Sequence, residues 1–276
     1  MEIRYLPDPN SFIKMDTDLL RRYFLIQDLF AMDQVRLVYC DCDRALVGGA
    51  VPVKAELTLE SGDELRSEYL CQRRELGIFN VGGKGQVKVD GKTYVLDRLD
   101  CLYVGRSSRQ IVLTSLDPKR PARFYLLSFP AHADYPTTLV TKPQAEAVSL
   151  GSQEHANRRT IYKYIHQAGV RSCQLVMGYT ELEAGSVWNT MPPHTHARRM
   201  EVYMYFGISD QDRIFHLMGR PDQTRHLVVA DCQAVLSPSW SIHSGVGTSA
   251  YCFCWGMGGE NQAFDDMDGL RIEDLR

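Results

Sequence analysis

The chain has 276 residues, 44% of them apolar and 24% charged, enough to build a real core in one large domain or two of ordinary size. A formal charge of −3 supplies no basic surplus for phosphate backbones and argues against nucleic-acid binding. The first 30 residues lack a signal-peptide pattern, and no apolar run approaches the ~20 residues of a membrane helix, so the expectation is a cytoplasmic protein that does not engage a membrane.

In chain order, residues 18–30 predict one helix. Leu19, Leu20, Tyr23, Phe24, Ile26 and Phe30 recur at three- and four-residue steps, and Asp16 or Thr17 is available as N-cap. Almost everything after it reads as short strands. Residues 86–90 and 92–96 alternate around Asp90-Gly91, a hairpin signal. Further strands are expected at 109–115, 122–128, 172–182, 200–206, 213–218, 225–229, 233–237 and 250–256. Many short strands without alternating helices predict a sandwich or barrel. The glycines at 48–49 and 82–85 precede strands, so they read as turns and not as phosphate loops. Eight cysteines contain no C-x-x-C. The pairs Cys40/Cys42 and Cys252/Cys254 lie in alternating apolar segments, each pair on one strand face. Buried free thiols in a reducing compartment are the expectation.

A weak internal repeat refines the organisation. Residues 73–82 resemble 199–207 when Glu75 is set against Glu201; 100–105 parallels 233–238, and 122–129 parallels 250–257. The expectation is two tandem barrels, 1–147 with the helical lead-in and 148–276, joined through the polar stretch around 136–160. Counting back from Glu75, Glu68 and Leu70 stand where the second half has His194 and His196. The first barrel therefore reads as metal-free and structural.

The chemistry concentrates in the second half. His194 and His196, two residues apart on a strand, would present both imidazoles on one face. Residues 197–200 allow a turn, and Glu201 opens the next strand with Tyr203 and Tyr205 on its face. His243, after the turn at Pro238 and before Gly245-Val-Gly247, supplies a third imidazole. H-x-H-x4-E followed by P-x4-H in an all-β context predicts a mononuclear divalent-metal site of His194, His196, Glu201 and His243. Such ligands suit zinc, iron, manganese or nickel. His132, His155, His166, His216 and His226 lack this spacing and read as structural or exposed.

With these residues in place, the chain resembles the cupins, and within them the 5-keto-4-deoxyuronate isomerases, or 4-deoxy-L-threo-5-hexosulose-uronate ketol-isomerases. The resemblance is carried by Arg73-Arg-Glu-Leu-Gly77, Asn157-Arg-Arg-Thr-Ile161, Trp188-Asn-Thr-Met-Pro192, His194-Thr-His196, Arg198-Arg-Met-Glu-Val-Tyr203, Ser237–Gly247 and Gly259-Glu-Asn-Gln262. The first 70 residues match less distinctly. The resemblance implies an all-β bicupin, two jelly-roll barrels with a short N-terminal helix. It also implies one Zn2+ per chain on the four named ligands, a hexamer, and a keto-uronate substrate from pectin breakdown. The 5-deoxy-glucuronate isomerases of inositol breakdown form a sister group and the nearest alternative; a non-catalytic sugar-binding cupin is the alternative of another class.

Aldose–ketose isomerisation moves a proton between adjacent carbons through an enediol, so charge develops on two neighbouring oxygens that a metal can stabilise. A general base must also shuttle the proton, for which Tyr203, Lys163 and Glu260 are candidates. The substrate carboxylate needs a cation, for which Arg159, Arg199 or Lys163 are candidates.

Overall fold

The computed structural model describes all 276 residues. The chain divides into two units, each built from one seven-stranded and one four-stranded sheet. In the first, the large sheet runs Glu2–Arg4, Val35–Cys40, Leu46–Ala50, Phe124–Pro130, Arg74–Asn80, Cys101–Val104, Thr138–Val140, and the small one Leu57–Thr58, Ile111–Ser115, Gly85–Val89, Lys92–Leu96. In the second, the large sheet runs Glu146–Leu150, Arg159–Ile165, Val176–Leu182, Cys252–Gly259, Arg199–Phe206, Ala234–Ser237, Leu25–Ile26. Its small sheet runs Trp188–Asn189, Ile242–Gly247, Ile214–Arg220, Gln223–Val229. The two orders correspond strand for strand through the central five positions of the large sheets and all four of the small ones. This is the duplicated, all-β cupin architecture, with antiparallel pairing at the centre of each large sheet and a parallel pair where Glu2–Arg4 joins Val35–Cys40.

The hairpin at 86–96 forms as the dipeptide demands. Asp90 and Gly91 both take positive φ, 47° and 86°, the primed-turn geometry whose twist matches the flanking strands. Asp90 also accepts hydrogen bonds from the backbone N–H groups of Arg109 and Gln110.

The early helix is shorter than its periodicity suggests. It spans Thr17–Phe24, capped by the Asp16 carboxylate on the Leu19 N–H at 2.9 Å. Leu25 then turns extended, and Leu25–Ile26 pairs with Val235 and Ala234 at a sheet edge. The edge carries unpaired backbone groups that a strand satisfies and a continued helix would not. A preceding turn of helix, Pro9–Phe12, places Phe12 with Phe24 against Trp240, ring centroids 5.2 and 6.5 Å away. Both phenylalanines are fully buried, each contributing roughly 1.5–3 kcal/mol.

That packing changes the domain assignment. Residues Tyr5–Gln27 belong to the second unit, although the sequence places them with the first barrel, and Tyr164–Val176 belong to the first. The polar stretch expected as a bridge carries two edge strands, Thr138–Val140 and Glu146–Leu150, one for each unit. No helix is long and apolar enough to cross a membrane. All eight cysteines are free thiols. Cys252 and Cys254 do share a strand, but Cys42 lies in a 3-10 turn beyond the strand that holds Cys40.

The internal repeat needs a one-residue correction. Leu76 and Ile78 point into the first barrel's apolar core with Leu102, Val104 and Leu126, so Glu75 lies on the opposite face. Leu76 pairs with Val104 just as Glu201 pairs with Ser237, the matching position of the repeat. Leu76, not Glu75, is the counterpart of Glu201. Side-chain direction alternates along a strand, and a slip of one residue exchanges inside for outside.

Glu75 has a different task. Its carboxylate, fully buried, accepts hydrogen bonds from the backbone N–H groups of Cys173, Gln174 and Leu175 at 2.6–2.7 Å and from the Tyr103 hydroxyl at 2.8 Å. Residues 172–175, expected as strand, are instead a loop gathered around this anion, and the strand begins at Val176. Glu75→Ala leaves three or four buried donors unsatisfied at about 1–3 kcal/mol each. We expect the unfolding midpoint to fall by about 5 °C or more, with metal content unchanged. A shift below a degree would show that the loop does not depend on this carboxylate.

Candidate metal centre

Three chain segments bring the four predicted ligands together. His194 sits on the two-residue strand His194–Thr195, which pairs with Asp268–Gly269 and not with the barrel sheets. His196 follows just beyond it, and a turn at 197–198 leads into the strand Arg199–Phe206. Alternation there turns Glu201, Tyr203 and Tyr205 inward. His243 comes from the other sheet, opposite Met218.

The donor atoms of His194, His196, Glu201 and His243 all lie within 4.8 Å of one another. Nε2 of His243 is 2.9 Å from Nε2 of His194 and 2.9 Å from Oε2 of Glu201; Nε2 of His196 is 3.1 Å from the same oxygen. His196, Glu201 and His243 are each at most 4% exposed.

The outer ring nitrogens set which way the lone pairs point. Nδ1 of His196 donates to the carbonyl of Arg199 at 3.0 Å, and Nδ1 of His243 faces the carbonyl of Ser241 at 3.4 Å. A carbonyl can only accept, so the proton rests on Nδ1 and the Nε2 lone pair faces the cluster. Burial first, and then the neighbouring His243 imidazole, bring the His194 imidazole down to about 3, so it is neutral at neutral pH and free to act as a ligand. Burial alone would raise the Glu201 carboxyl, but His243 and His196 outweigh it and hold it well below the usual carboxylate range. Lone pairs of two imidazoles and a carboxylate aimed at one point repel unless a cation sits among them. The residues therefore fit a divalent metal.

The site opens onto a cavity of about 280 Å³. Its polar groups are Arg159, Thr180, Thr190, His194, Glu201 and Tyr203; Trp255, Met257, Phe264 and Met267 form an apolar wall. The structure separates the other site residues expected from the sequence. Arg159, half-buried, lines this cavity; one guanidinium nitrogen donates to the Asn157 carbonyl at 2.8 Å, and burial lowers its pKa. Tyr203 lines it too, its hydroxyl 3.1 Å from the Thr190 hydroxyl. Burial, then the Glu201 charge, raises the phenol well above its ordinary value, so Tyr203 is a proton donor at neutral pH and not a ready base.

Lys163, Glu260 and Arg199 are not on the cavity wall. Lys163 is ion-paired to Glu146 at 2.9 Å and lies over the Phe264 ring. Glu260 is exposed, held through its backbone N–H to the Arg198 carbonyl. Arg199 is wholly buried and spends its guanidinium on the carbonyls of Ala263, Phe264 and Asp266. Its neighbour Arg198 grips the Asp266 carboxylate through Nε at 2.8 Å and reaches Asp268 at 3.0 Å. The adjacent arginines thus fasten residues 263–268, the segment that carries Phe264 and Met267 to the cavity and pairs with the His194 strand.

Sequence reasoning passed over the polar floor of the barrel. The Tyr205 hydroxyl is 2.7 Å from Nδ1 of His216, whose other nitrogen is 3.5 Å from the Ser237 hydroxyl; Asn189 donates to Tyr251. Burial brings His216 to about 3, so it is a neutral structural histidine. The period-two run Glu201, Tyr203, Tyr205 was the signal that could have located this layer.

Comparison with known proteins gives the family. The model of the KduI/IolB family matches residues 25–271. The chain belongs to the KduI/IolB family. A 4-deoxy-L-threo-5-hexosulose-uronate ketol-isomerase of Lachnoclostridium phytofermentans is 54% identical over 276 residues, covering all of both chains. One from Escherichia coli strain SE11 is 50% identical over 95% of each chain. Among solved structures, an IolB-like protein from Salmonella typhimurium LT2 superposes with TM-score 0.67 at 13% identity, covering 82% of this chain and 87% of its own. An oxalate decarboxylase from Lactobacillus farciminis gives 0.57 at 8% identity over 79% and 78%. At those identities the structures speak for the shared fold alone.

Elemental analysis of the purified KduI/IolB-family chain should find about one divalent metal per protein. His243→Ala removes a neutral nitrogen ligand and should lose the metal, and chelation should lower the wild-type melting temperature, since a bound ligand stabilises by mass action. A wild-type protein that is metal-free, and whose melting is insensitive to added zinc, would refute the assignment.

Proposed function

We propose that this chain is a metal-dependent ketol-isomerase that converts 4-deoxy-L-threo-5-hexosulose uronate to 3-deoxy-D-glycero-2,5-hexodiulosonate. The observation that carries the reading is the placement of Arg159 on the same small cavity as His194 and Glu201 of the three-histidine, one-glutamate cluster, in a chain about half identical over its full length to proteins bearing that name. The substrate has a carboxylate at one end and a carbonyl beside a hydroxyl at the other, and the cavity offers a guanidinium and a cation cage to match.

Zinc is the metal we propose, as the family resemblance implies; three imidazoles and one carboxylate suit it, as they suit iron, manganese or nickel. Held by His194, His196, Glu201 and His243, it would supply Lewis-acid stabilisation of the charge that develops on adjacent substrate oxygens. Arg159, with no carboxylate partner of its own, holds the substrate carboxylate and sets its register in the cavity. Tyr203, kept protonated by burial and the Glu201 charge and oriented by Thr190, donates a hydrogen bond to a substrate oxygen. Trp255, Met257, Phe264 and Met267 exclude water, which strengthens both contacts. The free thiols and the absence of a membrane-crossing helix support a cytoplasmic setting, and we retain a homo-hexamer as the proposed assembly.

NMR of the metal-loaded protein with 4-deoxy-5-ketouronate should show loss of the aldehyde without any redox partner. Turnover of 5-deoxy-glucuronate in its place would select the sister activity, and tight sugar binding with no turnover the non-catalytic reading. Arg159→Met should lower kcat/KM by about 10- to 100-fold, the worth of a charge-assisted contact, chiefly through KM. Tyr203→Phe should lower kcat with less change in KM. An Arg159→Met enzyme with unaltered KM would remove that residue from the substrate.

A further inference from the structure

The first barrel lacks the histidines of the second, yet one end of it is chemically unusual. A cavity of about 270 Å³ is lined by Arg44, Arg73 and Arg74 together with Tyr39, Glu64 and Ser67. Arg74 stands two residues before Leu76 on the same strand face, so its guanidinium emerges where the apolar filling of the barrel ends.

Arg74 is only 6% exposed. Nε donates to the Ser128 hydroxyl at 3.1 Å, and one terminal nitrogen donates to the carbonyls of Arg44 and Ser128. The other terminal nitrogen has no protein acceptor, and the wall it belongs to is that of the cavity. Every acceptor Arg74 has found is neutral. The ionisable groups that act on it are Tyr39, Cys71 and Arg44, with no carboxylate among them, and burial brings its pKa down to about 10.

The neighbours add charge without cancelling it. Arg73 binds the carbonyls of Leu65 and Arg66 and the Ser67 hydroxyl, again neutral acceptors, and Arg44 is exposed beside it. Arg44 holds a left-handed backbone, φ 52°, in the turn that delivers its carbonyl to Arg74. The single carboxylate on the wall, Glu64, is already paired with the amino group of Met1 at 3.0 Å. Three guanidinium groups therefore converge on one pocket with no free anion to balance them. A buried cation left without a counter-charge is unfavourable, and a bound anion removes that penalty.

We propose that this end of the first barrel is a binding site for a small organic oxyanion, a carboxylate or phosphate, held by Arg74 from within and by Arg44 and Arg73 at the rim. Guanidinium groups offer paired N–H donors that match either oxyanion. The volume admits a molecule of monosaccharide size, and Tyr39, Leu65 and Pro130 give its carbon skeleton an apolar surface. The site lies wholly within the first unit, so it stands or falls independently of the metal centre.

The test is isothermal titration of the metal-loaded full chain with inorganic phosphate and, separately, with D-glucuronate; the stronger of the two names the headgroup. One site per chain that depends on Arg74 and not on His243 is expected. Arg74→Met should abolish the binding. Arg44→Gln, at an exposed side chain where folding is not at issue, should weaken it about tenfold, the equivalent of one charge-assisted hydrogen bond. His243→Ala should leave it unchanged, which separates this site from the metal cavity. The proposal is overturned if neither anion binds up to about 20 mM, where a ~1 mM site would be nearly saturated. It is equally overturned if binding survives Arg44→Gln undiminished or disappears in His243→Ala.

Discussion

Everything distinctive in the second unit follows from four donor atoms forced to face one another. The Nε2 atoms of His243 and His194 stand 2.9 Å apart, with the Glu201 carboxylate as near to His243, and a peptide free to relax would let so many acceptors spread apart. Here they cannot move. His243 is locked in a six-residue strand, Glu201 in an eight-residue one, and His196 is tethered to the Arg199 carbonyl. The sheets supply the rigidity, and a divalent cation among the donors would turn the repulsion into binding. The same preorganisation suits catalysis, because dipoles and charges already in place cost nothing to reorient when charge develops on the substrate.

The two units show one architecture filled in two ways. In the first, the counterpart of Glu201 is Leu76, and the interior closes with Ile78, Leu102, Val104, Phe124 and Leu126. In the second, the inward positions are Glu201, Tyr203 and Tyr205, and polar partners continue to His216, Ser237, Asn189 and Tyr251. An aliphatic interior can pack densely and needs no satisfaction beyond shape. A polar interior must place every donor and acceptor, and the reward is a cavity with chemistry in it.

Arginine is put to four uses that composition cannot distinguish. Arg199 is wholly buried and cinches three carbonyls of the segment behind the cavity wall. Arg198 grips the same segment from outside through Asp266 and Asp268. Arg159 presents its guanidinium to the cavity beside the metal ligands. Arg74 is buried like Arg199 but opens onto a second, basic pocket at the end of the first barrel. Neighbours in sequence, Arg198 and Arg199 diverge because the first lies in the turn and the second opens the strand Arg199–Phe206.

The sequence alone determined the strand-rich class, the duplication and which three histidines and one glutamate come together. Those signals are local: period-two alternation, Asp90-Gly91 at a turn, and an H-x-H-x4-E spacing that means one thing on neighbouring strands. Tertiary structure decided what depends on partners remote in the chain. The helix stopped at Phe24 because a sheet edge claimed Leu25–Ile26. The loop at 172–175 replaced a strand because Glu75 gathers its N–H groups. Lys163 and Glu260 left the list of site residues because an ion pair and solvent hold them elsewhere. The phase of the repeat was beyond one-dimensional comparison, since similarity between Glu75 and Glu201 scores identity while a barrel reads only which face a side chain is on.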